Sequence, residues 1–205
     1  MLSFKRQKYL IKKAVSVGDD SKIQRVIAHS AKLRRHCQRQ LIKEVGAGNV
    51  VAVGAFIRAG VDIAYGGHRA FRCAITNGHL DIAKMLFAAG VTLSNLPFDP
   101  ILETVRDGYA EILKWLFANG AQIAIGDFYV LNTAVDMALN VWPSRPWGAP
   151  EEDWTACVDV LLDHSLGWRL SPPEVEKVAK RVAEFAPCKA KATAWLAEVM
   201  PPPER

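Results

Sequence analysis

The sequence predicts an all-α protein: a helical solenoid of five to six short helix pairs, each packed on the next. Three observations predict it. Thirteen-residue segments align without gaps at Gly48 to Gly60, Gly78 to Gly90 and Gly108 to Gly120, with their first glycines 30 residues apart. Apolar residues recur in that same frame, seven and three positions before each glycine. Half of the 205 residues are apolar and 23% are charged, the balance of a globular chain that buries a core without disulfides or metals.

The first repeat starts 30 residues before Gly48, at Gly18, where Asp19 to His29 forms a weaker copy ending in Ser30 instead of glycine. Seven residues before the turn glycines stand Ile11, Leu41, Phe71 and Ile101, and three before them Val15, Val45, Ile75 and Val105. These are the core ladders of four first helices, each expected to run about eight to ten residues. A fifth first helix follows in register, since the next positions are Leu131 and Val135, with Ala134 where Ala14 and Ala74 fall. Its second helix, Asp153 to Ser165, fits the pattern only after about 15 extra residues, so an insertion separates the two. Ser171-Pro172-Pro173-Glu174 has the residues of a helix start, a capping Ser, Pro in the first turn and Glu to close a capping box. A closing pair is expected from there, with Lys189 to Met200 as its last helix after the break at Pro187. The organisation read from sequence is therefore residues 1–138 for repeats one to four and the first helix of repeat five, 139–152 for the insertion, and 153–205 for the remainder and the cap.

Each unit ends its second helix on a glycine, where a left-handed residue closes the helix. Helices this short are marginal alone and must bury their apolar faces on neighbours, which is the logic of a repeat stack. Gly78-His79-Leu80-Asp81-Ile82-Ala83-Lys84-Met85-Leu86-Phe87-Ala88-Ala89-Gly90 resembles the second half of an ankyrin repeat nearly position for position. The resemblance covers residues 5–138 clearly and 139–200 loosely. It departs from the family in period, 30 residues against about 33, which shortens the finger that carries a β-hairpin in typical ankyrins. The Thr-Pro-Leu-His motif is also replaced, by Arg69-Ala70-Phe71-Arg72 in one repeat and Asp99-Pro100-Ile101-Leu102 in the next. Stacks of this short period resemble those common in viral and bacterial genomes. The resemblance implies protein binding through a concave face, without catalysis and without a cofactor.

The remaining residues favour the same class of function. Cys37, Cys73, Cys157 and Cys188 form no Cys-x-x-Cys pair and read as reduced, packed thiols. The five histidines make no metal-ligand spacing, and no serine or cysteine sits in a nucleophile turn, so neither a metal nor a small-molecule substrate is expected. His79, just after a turn glycine, reads as a structural hydrogen-bonding residue. Asp19-Asp20 and Glu151-Glu152 read as acids at helix starts, where the macrodipole favours them. No apolar stretch approaches the ~18 residues of a membrane span, and the first residues run into charge, so a cytoplasmic chain without a membrane partner is expected.

Charge is distributed unevenly. Residues 1–43 carry twelve Lys and Arg against Asp19 and Asp20, a net +10, while the rest of the chain is net −5. That dipole steers an acidic partner to one end. The expected partner is a protein with an acidic patch, masked or relocated by an inhibitor, immunity-type or adaptor chain. The alternative is nucleic acid held by segment 1–43, and the remaining reading is a merely solvated basic end. Candidate partner-binding residues are Lys8, Arg35, Arg39, Tyr65, His68, Arg69, Arg72, Phe98, Phe128, Trp142 and Trp147. A ladder ten residues before each turn glycine reads Lys8, Gln38, His68, Phe98 and Phe128, basic at one end and aromatic at the other. Phe98 and Phe128 either anchor a partner or fill space left by short fingers. Trp142 and Trp147, in an insertion with three prolines, either cap the stack or anchor a partner.

Overall fold

The structure, a computed structural model, describes residues 3–123, 127–138 and 151–164, with isolated positions at Pro173, Glu176, Lys177, Lys180, Arg181 and Ala194. Trp142, Trp147, Cys188 and the proposed closing helix pair lie outside the described residues, apart from those isolated positions. The described residues contain α-helices and one 3-10 turn and no strand. Among them no helix is long and apolar enough to cross a membrane. The chain forms two compact units, residues 1–97 and 98–205, so the boundaries read from sequence at 138 and 152 fall inside the second.

In the first unit, α1 (Phe4–Ser16) pairs with α2 (Asp20–His29), α3 (Ala31–Gly46) with α4 (Val50–Arg58), and α5 (Tyr65–Thr76) with α6 (Leu80–Ala88). The first helices α3 and α5 pack on each other, and the second helices run side by side as α2 on α4 and α4 on α6. In the second unit, α7 (Pro100–Asp107) pairs with α8 (Ala110–Ala118), and α9 (Asp127–Ala138) with α10 (Glu151–His164). There α7 packs on α9 and α8 on α10.

The ladders read from the sequence are the core. Ile11, Leu41, Phe71, Ile101 and Leu131 are all buried, as are Val15, Val45, Ile75, Val105 and Val135. Each large side chain of this kind contributes roughly 1.5–3 kcal/mol by leaving water, which offsets the weak intrinsic stability of helices of 8 to 16 residues. The register survives the insertion. Trp154 aligns with His79 in the sequence pattern, and the two side chains do the same work. His79 Nε2 donates to the Gly46 carbonyl at 3.3 Å, and Trp154 Nε1 donates to the Arg106 carbonyl, also at 3.3 Å and 60 positions further on. Each ring lies against a turn glycine, Gly48 for His79 and Gly108 for Trp154.

Two expectations need correction. First helices are longer than eight to ten residues in four of the five repeats: α1 has 13, α3 has 16, and α5 and α9 have 12, while α7 has 8. The second helix of repeat five also begins earlier, at Glu151 instead of Asp153. The length of α3 has a local cause. Where later repeats place Gly60, Gly90 and Gly120 in the left-handed region (φ 76, 110 and 81), the first has Ser30 at φ −153, ψ 116. An extended serine closes α2 and opens α3 at once, its hydroxyl accepting from the Leu33 N–H. No finger intervenes, and α3 gains a turn at its N-terminus.

Candidate functional site

That extra turn assembles the site. In the 30-residue frame α5 begins at Tyr65, equivalent to position 35, whereas α3 begins at Ala31. The added residues bring Lys32 onto the helix, and Lys32, Arg35, His36 and Arg39 then stand at i, i+3, i+4 and i+7, one face of α3. Lys8 approaches from α1. These five side chains line a cavity of about 450 Å³. A second hollow of about 200 Å³ adjoins it, with Lys8 and His36 common to both. Its floor is apolar, from Ile11 and Val15 of α1 and Phe56 of α4, and Lys12 and Glu44 stand at its walls.

The electrostatics of the larger cavity are one-signed. Lys8, Lys32, Arg35 and Arg39 are exposed, so solvent screens the repulsion among four cations around one hollow. His36 is half-buried, and burial first, then the charges of Lys8 and Arg39, lowers its pKa from the usual 6.5. At neutral pH its imidazole is therefore uncharged. An anion between the four cations opposes the part of that shift that the charges of Lys8 and Arg39 contribute, while the part from burial remains. Two arginines also supply planar donor forks suited to tetrahedral or carboxylate oxygens.

Of the residues singled out from sequence, the structure brings Lys8, Arg35 and Arg39 together in the cavity. Tyr65, His68, Arg69 and Arg72 share a face of α5 and do not line it. Arg69 and Arg72 are exposed, while Tyr65 and His68 are half-buried. His68 has a left-handed backbone (φ 61), and its Nδ1 is buried without a hydrogen-bond partner. Phe98, half-buried, belongs to the second unit and directly precedes Asp99, the capping residue of α7. Phe128 lies in the first turn of α9.

The basic-to-aromatic ladder is not one exposed face, because Gln38 is buried and donates to Asp62 at 3.4 Å. Lys32 was counted in the basic segment but placed in a finger region, and His36 was not singled out. The signal that unites them is the i, i+3, i+4, i+7 spacing of basic residues through to Arg39, with the capping Ser30 shortly before it.

Elsewhere among the described residues, reactive groups are sparse. Among the described residues no three His, Cys, Asp or Glu side chains gather as a metal site would require. Burial pushes the Cys37 thiol up to about 11, and it raises Cys73 as well, against the opposing charge of Arg69. Cys157 is buried. Cys37 and Cys73 are therefore packing groups, protonated at neutral pH.

No family model matches this chain, and no curated protein matches its sequence.

Proposed function

We propose that the chain is a divergent, ankyrin-like binding module that engages the acidic surface of a partner protein without catalysis, and so masks or relocates it. The observation that carries this reading is the convergence of Lys8, Lys32, Arg35, His36 and Arg39 on one concavity between the first helices α1 and α3. The first-helix side of the first unit resembles the partner-binding side of ankyrin repeats, and the repeated helix pairs of that unit, with Ile11, Leu41 and Phe71 buried in turn, support a module of that kind. Charges left exposed in the free chain act chiefly on encounter, so association fast at low salt and slowed by added salt is expected.

The test is affinity capture by the intact chain, with mass spectrometry of what is retained, beside the R35E/R39E variant. Retained proteins are then measured by surface plasmon resonance at two salt concentrations. A partner whose association slows markedly in the variant, with loss of salt dependence, supports the reading. A partner indifferent to both reversals shows that the basic concavity is not the docking face. Capture of nucleic acid, with affinity falling steeply in salt, supports the alternative that segment 1–43 binds phosphate backbones.

A further inference from the structure

We propose that the cavity between α1 and α3 is a phosphate pocket, in which a phosphorylated Ser, Thr or Tyr side chain of the partner protein sits between Lys8, Lys32, Arg35 and Arg39, with His36 beside it. This rests on the protein-binding reading and names the chemistry that the pocket selects.

Charge is the first argument. Four permanent cations and one titratable imidazole line the hollow, and no acidic side chain is among the lining residues. A carboxylate brings one negative charge and two oxygens. A phosphoryl group brings about −1.5 to −2 and three strong acceptor oxygens, which matches several donors arriving from two helices. The Arg35 and Arg39 guanidiniums, one helical turn apart, each offer a bidentate fork to it, while Lys8 and Lys32 act as point charges. His36 completes the set as a further ring N–H donor beside the cations.

Extent separates this occupant from nucleic acid. A volume of about 450 Å³ admits a phosphorylated side chain together with part of its peptide. The stripe from Lys32 to Arg39 spans seven residues of helix, roughly 10 Å, enough for one or two phosphates and not for a backbone track. No Phe, Tyr or Trp lines the cavity to stack a base. The adjoining hollow, floored by Ile11, Val15 and Phe56, gives the neighbouring residue of a peptide an apolar seat.

The test is fluorescence anisotropy on the full chain with four probes: a degenerate peptide pool with a fixed central phosphoserine, matched pools with serine or glutamate there, and a single-stranded oligonucleotide. The phosphoserine pool is expected to bind about tenfold or more tighter than the glutamate pool, from one or two additional charge-assisted hydrogen bonds. That preference is expected to vanish in R35Q/R39Q and to persist in K43Q, which removes a positive charge from α3 outside the cavity. Equal binding of the phosphoserine and glutamate pools, both lost in R35Q/R39Q, overturns the phosphate inference and leaves the acidic-partner reading standing. An oligonucleotide bound more tightly than every pool overturns both. A phosphoserine preference retained in R35Q/R39Q, or no binding of that pool, also overturns the inference.

Discussion

Gly108 and Gly120 offer a way to separate two costs that glycine substitutions usually mix. Both lie in the second unit and both have left-handed backbones, φ 79 and 81. A Cβ at Gly120 meets nothing within 4 Å, so Gly120→Ala carries only the conformational cost of an L-residue in that region, roughly 1–2 kcal/mol. A Cβ at Gly108 stands 3.0 Å from Trp154 Cε2 and 3.2 Å from Cδ2 and Nε1. That indole is fully buried and held by its bond to the Arg106 carbonyl, so it has no free end to swing aside. Overpacking of this kind adds roughly 1–3 kcal/mol, which brings Gly108→Ala to about 2–5 kcal/mol. Urea unfolding followed by circular dichroism at 222 nm measures both variants. The expected order is wild type, then Gly120→Ala, then Gly108→Ala, with midpoints in thermal melts separated by about 2–4 °C per kcal/mol. If the two variants are equally stable, Trp154 does not seat on the Gly108 turn, and the register assigned to the second helix of repeat five is wrong.

Three further outcomes are expected. Gly54→Ala should be close to neutral: a gain of up to about 1 kcal/mol in helix propensity is offset by small shifts of the Arg58 Nη1 and Met85 Cε tips, 3.1 and 3.3 Å from the new methyl. Gly90→Val, at φ 110 with a β-branched side chain, should melt well below it, and coincident melting curves would refute the capping role of Gly90. The second outcome concerns pH. Because His36 has a lowered pKa in the folded chain, the unfolded chain takes up the proton first as pH falls, so stability is intact above about 6.5 and declines below it until the folded group titrates too. The facing groups are Lys8 and Lys12 of α1 and Lys32, Arg35, Arg39 and Glu44 of α3, while Asn49 and Phe56 at α4 add no charge. His36→Gln should flatten this part of a stability profile taken from pH 5 to 8, and an unchanged slope would assign it to other groups. Third, Cys37, with its thiol pushed up to about 11, should resist alkylation at pH 8 in the folded chain and react after unfolding in urea, as read by mass spectrometry. Rapid modification without denaturant would contradict its burial.

The repeat and its core were legible in the sequence because they depend on local periodicity. A side chain that must be buried every 30 residues leaves the same apolar type at each return, whatever surrounds it, and Ile11 through Leu131 show that constraint directly. The equivalence of His79 and Trp154 was also written in the alignment, although two such different rings share a role only because both carry an N–H at the reach of a turn carbonyl. Most of the candidate cavity was legible as well: the basic bias of residues 1–43 pointed to Lys8, Lys32, Arg35 and Arg39. His36 was not, and neither was the hollow itself. The place of Lys32 on the helix follows from Ser30, which has no need of the left-handed geometry of the later glycines and leads α2 straight into α3. The sequence records that substitution as one letter. Tertiary structure turns it into an added helical turn and a gap between α1 and α3, because a cavity depends on the distance between helices that no residue spacing along a single helix specifies.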